Sequence, residues 1–141
     1  MDRRGGAAAV ALALTSAFAT ACSGPPASSA PVAAAEAFYA AVAAGDGEAA
    51  CALLLPDAAE AAADDADAPC AEALTSGRAG DELASRAGGR GDPTVHVAGR
   101  QAQVLLASDT VFLARSGDGW VVTAAGCDAV PDRPYDCEVA A

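Results

Sequence analysis

The apolar spacing of this chain changes once, at Thr94, and that change constrains the fold more than any other feature. Upstream of it, apolar residues recur at helical intervals, as with Phe38 and Val42, four apart on one helix face. Pro31 suits a first helical turn and Gly45 a left-handed helix end, so the spacing predicts a helix over 31–44. Asp46 is placed to cap a second helix that carries Cys51, Leu54 and Leu55 and stops near Pro56. An Ala-rich segment over 57–63 and a short helix through Cys70 and Leu74 complete the helical half. The glycine-rich stretch 77–93 reads mostly as loop.

Downstream the period is two. Val95 and Val97 alternate with Thr94 and His96, and Ala102, Val104 and Leu106 alternate with Gln101, Gln103 and Leu105, the pattern of half-buried antiparallel strands. Gly99-Arg100, Ser108-Asp109 and Gly117-Asp118-Gly119 supply turns between the runs, and the last two strands fall at 110–115 and 120–124. Helices followed by a four-stranded antiparallel meander predict an α+β fold, with Ala-rich N-terminal helices packed on one face of a C-terminal sheet.

Composition makes a core for such a domain hard to build. Of 141 residues 42 are Ala, while Val, Leu and Phe number only 24 and Ile is absent; the formal net charge is -11. Chains with so little large apolar surface and so much charge stay unfolded unless something else holds them. Cysteine supplies it. Cys51 and Cys70 lie in neighbouring helical segments and Cys127 and Cys137 bracket the chain's last stretch, so of three possible pairings the one that closes two short loops, Cys51–Cys70 and Cys127–Cys137, is expected. Each bond would contribute about 3 kcal/mol. Neither pair has the close C-x₂-C spacing of structural zinc sites, so no metal is expected. Eight Arg and no Lys among 19 acids leave no basic surface for nucleic acid.

The first 21 residues read as an export signal. Arg3 and Arg4 lead an apolar run from Ala7 to Ala19 that is short for a transmembrane span and ends in small residues. Ala19-Thr20-Ala21-Cys22 resembles the lipobox of bacterial lipoproteins, in which the cysteine is diacylated and becomes the mature N-terminus. Leu usually stands where Ala19 does, and ordinary signal cleavage near Ala21 or Ala30 is the alternative. Gly5 and Gly6 after the arginine pair favour general secretion over the twin-arginine route. Lipid on Cys22 leaves the remaining four cysteines an even set for an oxidising compartment, and two acyl chains suffice for stable anchoring. The expected organisation is a signal over 1–21, a lipidated cysteine and flexible tether over 22–31, and a disulfide-stabilised domain over 32–141. Its place is the extracytoplasmic face of the cell membrane.

The run from Asp109 to Cys137, DTVFLARSGDGWVVTAAGCDAVPDRPYDC, follows VHVAGRQAQV, with AEAFYAAVAAGDGEAAC and PCAEAL upstream. Together these segments resemble a group of small, uncharacterised lipoproteins of actinomycetes. The layout is similar to the cystatin-like, nuclear-transport-factor-2-like α+β cone, which implies a curved sheet with a concave face. No catalytic motif comes with the resemblance, and that fold hosts enzymes, binders and scaffolds alike.

Few residues carry chemistry. His96 is the only histidine, which excludes sites needing two. Asp64, Asp65 and Asp67 lack the glycine and distant glutamate of a calcium loop, and Arg90-Gly91-Asp92 carries no functional weight. If Ala102, Val104 and Leu106 face the helices, Gln101, Gln103 and Leu105 share the opposite face with Phe112 and Thr123. With His96, the set Gln101, Gln103 and Phe112 is the candidate pocket for a small apolar ligand. Trp120 and Tyr135 are expected as packing anchors. No nucleophile has a recognisable partner, so no catalytic residue and no cofactor are expected. The reading is a membrane-anchored binding or accessory module for a cell-envelope protein. A small-molecule-binding cone is the alternative, and an enzyme using His96 with Asp109 the more remote one.

Overall fold

Alanine gives up no side-chain entropy on entering a helix, and in the computed structural model, which describes residues 28–132 and 134–141, the described part of the Ala-rich half is a succession of helices joined by short connections. The expected signal, Cys22 and most of the tether lie outside the described residues. The helices are α1 (Ser29–Ala43), α2 (Gly47–Ala52), α3 (Pro56–Ala66), α4 (Cys70–Ala73) and α5 (Gly77–Arg86). They precede β1 (Thr94–Ala98), β2 (Gln101–Leu105), β3 (Thr110–Ser116), β4 (Gly119–Asp128) and β5 (Asp136–Ala140). The strands form one antiparallel sheet in the order β1-β2-β3-β4-β5.

The protein is therefore α+β, with departures from the sequence-based expectation that have physical causes. Helix α1 starts at Ser29, two residues before Pro31, whose ring is buried in the first turn, so the end of the expected tether is helical. Gly45 closes it with φ +68°, and the Asp46 side chain accepts from Ala49 N–H at 3.0 Å to cap α2. Leu54 and Leu55 are not helical. The residue before a proline is pushed to extended backbone, and Leu53–Leu55 run alongside β4, where Leu55 N–H donates to Val122 O at 2.7 Å and Val122 N–H to Leu53 O at 2.8 Å. The expected loop at 77–93 contains α5, because Leu83 is fully buried and anchors it. Among the described residues the sheet has five strands, not four. β4 continues to Asp128, and the Cys127–Cys137 disulfide joins directly opposed residues and holds β5 in register.

The helices cover one sheet face. Phe38, Tyr39 and Val42 of α1, with Leu54, Leu74 and Leu83, pack against Val104, Val111, Leu113, Val122 and Val139. The Cys51–Cys70 disulfide ties α2 to α4. Each of these helices is too short to persist alone.

Candidate functional site

Side chains alternate across a strand, so the residues between the core positions face away from the helices. Their alignment follows from the register. His96 stands opposite Gln103, Gln103 opposite Phe112, Phe112 opposite Ala124 and Ala124 opposite Ala140, one row across the whole sheet. A second row places Ala98 opposite Gln101 and Gln101 opposite Ala114. Small alanines beside larger neighbours leave two shallow open depressions, about 240 Å³ over His96, Ala98, Gln101, Gln103 and Phe112, and about 300 Å³ over Gln101, Phe112, Thr123 and Ala140. They share Gln101, Ala102 and Phe112. The structure thus brings His96, Gln101, Gln103 and Phe112 onto one surface.

The sequence did not mark Tyr135 as part of that surface. It lies in the segment before β5, with its ring edge-on to Phe112 at 5.1 Å, and its hydroxyl accepts from Gln103 Nε2 at 3.4 Å. Tyr135 stays exposed. The surface therefore offers two primary amides, an imidazole and an aromatic pair, groups that hydrogen-bond and stack; among the described residues it holds no nucleophile paired with a base.

Asp109 belongs to the other side of the sheet. Its side chain is fully buried, accepting from Tyr39 Oη at 2.5 Å, Gly126 N–H at 2.9 Å and Cys127 N–H at 2.7 Å. Arg86 Nη1 stands 3.6 Å away, and Arg86 Nη2 reaches Asp128 and Glu82 at 2.8 Å each. Gly126, at φ +69°, lets two successive N–H groups turn to the carboxylate, and a Cβ there would lie 2.9 Å from Glu138 Cβ. Burial, reinforced by the neighbouring Asp109 carboxylate, pushes the Tyr39 hydroxyl far above its ordinary range. Hydrogen bonding to Asp128 raises the Arg86 guanidinium despite partial burial, and Arg86 in turn lowers Asp128. This is a structural lock for α1, α5 and the stretch of β4 where its pairing with β3 shifts register, between Thr110 and Leu113.

His96 is exposed on the outer face and Asp109 is engaged beneath the sheet, so the two do not form the catalytic pair considered from sequence. Among the described residues no group of three His, Cys, Asp or Glu side chains is arranged to hold a metal ion. Trp120 is buried in the core, with the Arg115 guanidinium 5.4 Å from its ring centroid. No described helix is long and apolar enough to cross a membrane. Comparison with protein-family models, with curated proteins and with solved structures finds no match to this chain.

Proposed function

We propose that the protein is a lipid-anchored module on the extracytoplasmic face of the cell membrane that binds an envelope partner through the outer face of its sheet. The observation that carries the reading is the row His96, Gln103 and Phe112 with Gln101 and Tyr135 beside it, polar and aromatic groups gathered on the sheet face that no described helix covers. The anchor rests on the lipobox-like sequence at Cys22 and on the pairing of the other four cysteines. The outer face is open, which suits a macromolecular surface better than a small ligand needing enclosure. Its amides favour a partner presenting neutral polar groups around an apolar centre, since strands β1 to β3 contain no acid to pair with a cation.

Two substitutions test the two halves of the proposal. Cys22→Ser should move the chain from the membrane fraction to the soluble extracytoplasmic fraction, and unchanged retention overturns the anchor. A photoreactive residue at Gln103 in the producing cell should capture one discrete envelope protein, and Phe112→Ala in the same chain should abolish that adduct while the Tm stays within a few degrees. An adduct indifferent to Phe112 overturns the surface. Native mass spectrometry of the extracted chain addresses the small-ligand alternative. A retained non-covalent mass that Phe112→Ala removes would favour that alternative over the protein partner.

A further inference from the structure

An edge strand exposes a row of unpaired backbone groups, and proteins that stay monomeric protect such edges with charges, prolines, bulges or a covering segment. The two edges of this sheet differ in this respect. β5 carries Asp136 and Glu138, and where it ends Leu53–Leu55 bond to the β4 backbone. β1, at the opposite edge, reads Thr-Val-His-Val-Ala. It has no charge, no internal proline and three β-branched residues, the composition that pairs most readily. Thr94, His96, Val97 and Ala98 are exposed, and Val97, at 44%, is the most exposed large apolar side chain among the described residues.

The hairpin fixes which backbone groups are free. A two-residue turn, Gly99-Arg100, closes on Ala98 opposite Gln101, and such turns close on a hydrogen-bonded pair. Bonding then alternates, so Ala98, His96 and Thr94 direct their N–H and C=O to β2, and Val95 and Val97 direct theirs outward. We infer that β1 pairs antiparallel with β1 of a second copy of this chain about a two-fold axis at His96. That register sets Val95 opposite Val97 of the partner and Val97 opposite Val95, uses all four outward N–H and C=O groups of each strand, and covers the exposed Val97. Centring the axis on Val95 instead would bring Val97 opposite Pro93, which has no N–H to donate.

Charge complementarity selects the second copy as occupant. Antiparallel order brings Asp92, exposed just before β1, to the end of the partner strand where Arg100 is exposed in the turn, and the arrangement occurs twice by symmetry. The acids that dominate the molecule lie mainly on the helices and their connections, whereas β1, β2 and β3 contain none. Two acidic copies thus approach through their least acidic region. The two five-stranded sheets become one, with the paired His96 side chains at its centre. The inference stands on the edge alone, so failure of the Cys22 anchor or of an envelope partner leaves it intact.

The full chain carrying Cys22→Ser, which removes the one cysteine outside the two disulfides, is the material for the test. In sedimentation across a dilution series it should reach twice the chain mass. His96→Cys added to it should form an interchain disulfide on air oxidation, because the register sets position 96 opposite itself, whereas Ala98→Cys, opposite Thr94 of the partner, should not. Val97→Pro removes an outward N–H without touching the β2 ladder and should return the chain to monomer with its Tm nearly unchanged. Val97→Lys, which keeps the N–H and places a charge in the seam, should weaken the dimer and gives a second reading if the proline variant fails to fold. A monomer at every concentration overturns the pairing and leaves the edge to a strand of another protein. A dimer that cross-links through Ala98→Cys as readily as through His96→Cys, or survives Val97→Lys undiminished, overturns it in favour of another face.

Discussion

A buried carboxylate is costly unless its lone pairs are filled, and Asp109 accepts from two backbone N–H groups and the Tyr39 hydroxyl, with the Arg86 guanidinium 3.6 Å away as counter-charge. Tyr39→Phe removes one donor and leaves the others in place, so it should cost about 2 kcal/mol by urea unfolding at neutral pH, the range of a hydrogen bond to a charged group. The pH dependence has a definite sign. The folded-state pKa of Tyr39 lies above its unfolded value, so the unfolded chain loses its proton first, near pH 10, and stability falls as pH rises beyond that point. Below it the contribution is intact. In Tyr39→Phe the alkaline limb should flatten; a limb as steep as in the parent chain would show that another group carries the alkaline loss. Asp109 was partly legible in the sequence, because it shares the odd parity of Val111 and Leu113, both fully buried. The Ser108-Asp109 pair reads as turn chemistry and masks that parity. Tyr39 offers no such signal among the alanines, and Arg86 lies in the glycine-rich stretch whose composition reads as loop.

Among the elements, legibility followed local chemistry. Asp46, Gly45, Pro56 and the glycine turns mark their boundaries because each acts on neighbouring backbone, and the structure places helix ends and hairpins there. What was missed depends on distant partners. Helix α5 exists despite its glycines because Leu83 is buried and because Gly80 sits where a Cβ would come within 2.7 Å of Thr75 backbone. β5 has little apolar content, and its place is set by Cys137 and Val139 meeting β4. The outer-face set was legible from period two, but Tyr135 reaches it from an irregular segment that no period describes. The same dependence makes α2 and α4 vulnerable. They have six and four residues, and the Cys51–Cys70 bond closes a loop with sequence separation 19, which corresponds to about 3 kcal/mol of unfolded-chain entropy. The double substitution Cys51→Ser with Cys70→Ser should lower urea stability by about that amount and reduce the helical circular-dichroism signal before the sheet unfolds. A loss under about 1 kcal/mol, well below the usual range for such a bond, would mean that packing alone fixes the two helices.

For the whole molecule the thin core and the charge act against each other. With 19 acids against eight Arg in the chain, and only five Arg among the described residues, most of the described carboxylates have no described Arg beside them. Among the described residues the ion pairs, Arg78 with Glu138 and Arg86 with Glu82, Asp109 and Asp128, gather where α5 meets the sheet. The remaining acids on α1 to α4 repel one another across a layer whose packing is largely alanine, and compaction brings them closer than they lie in the unfolded chain. Added salt should therefore stabilise the fold. The screening length falls from about 30 Å at 0.01 M to about 8 Å at 0.15 M ionic strength, so the Tm should rise steeply over that interval in NaCl and then level off. The levelling separates screening from preferential exclusion of salt, which would keep raising the Tm at molar concentrations. A flat response below 0.15 M would show that the acids are far enough apart to be indifferent to one another, and would shift the origin of any marginal stability to the core alone. A fall in Tm over the same interval would mean that the Arg86 and Arg78 pairs outweigh the repulsion, which their small number and exposed partners Asp128 and Arg78 argue against.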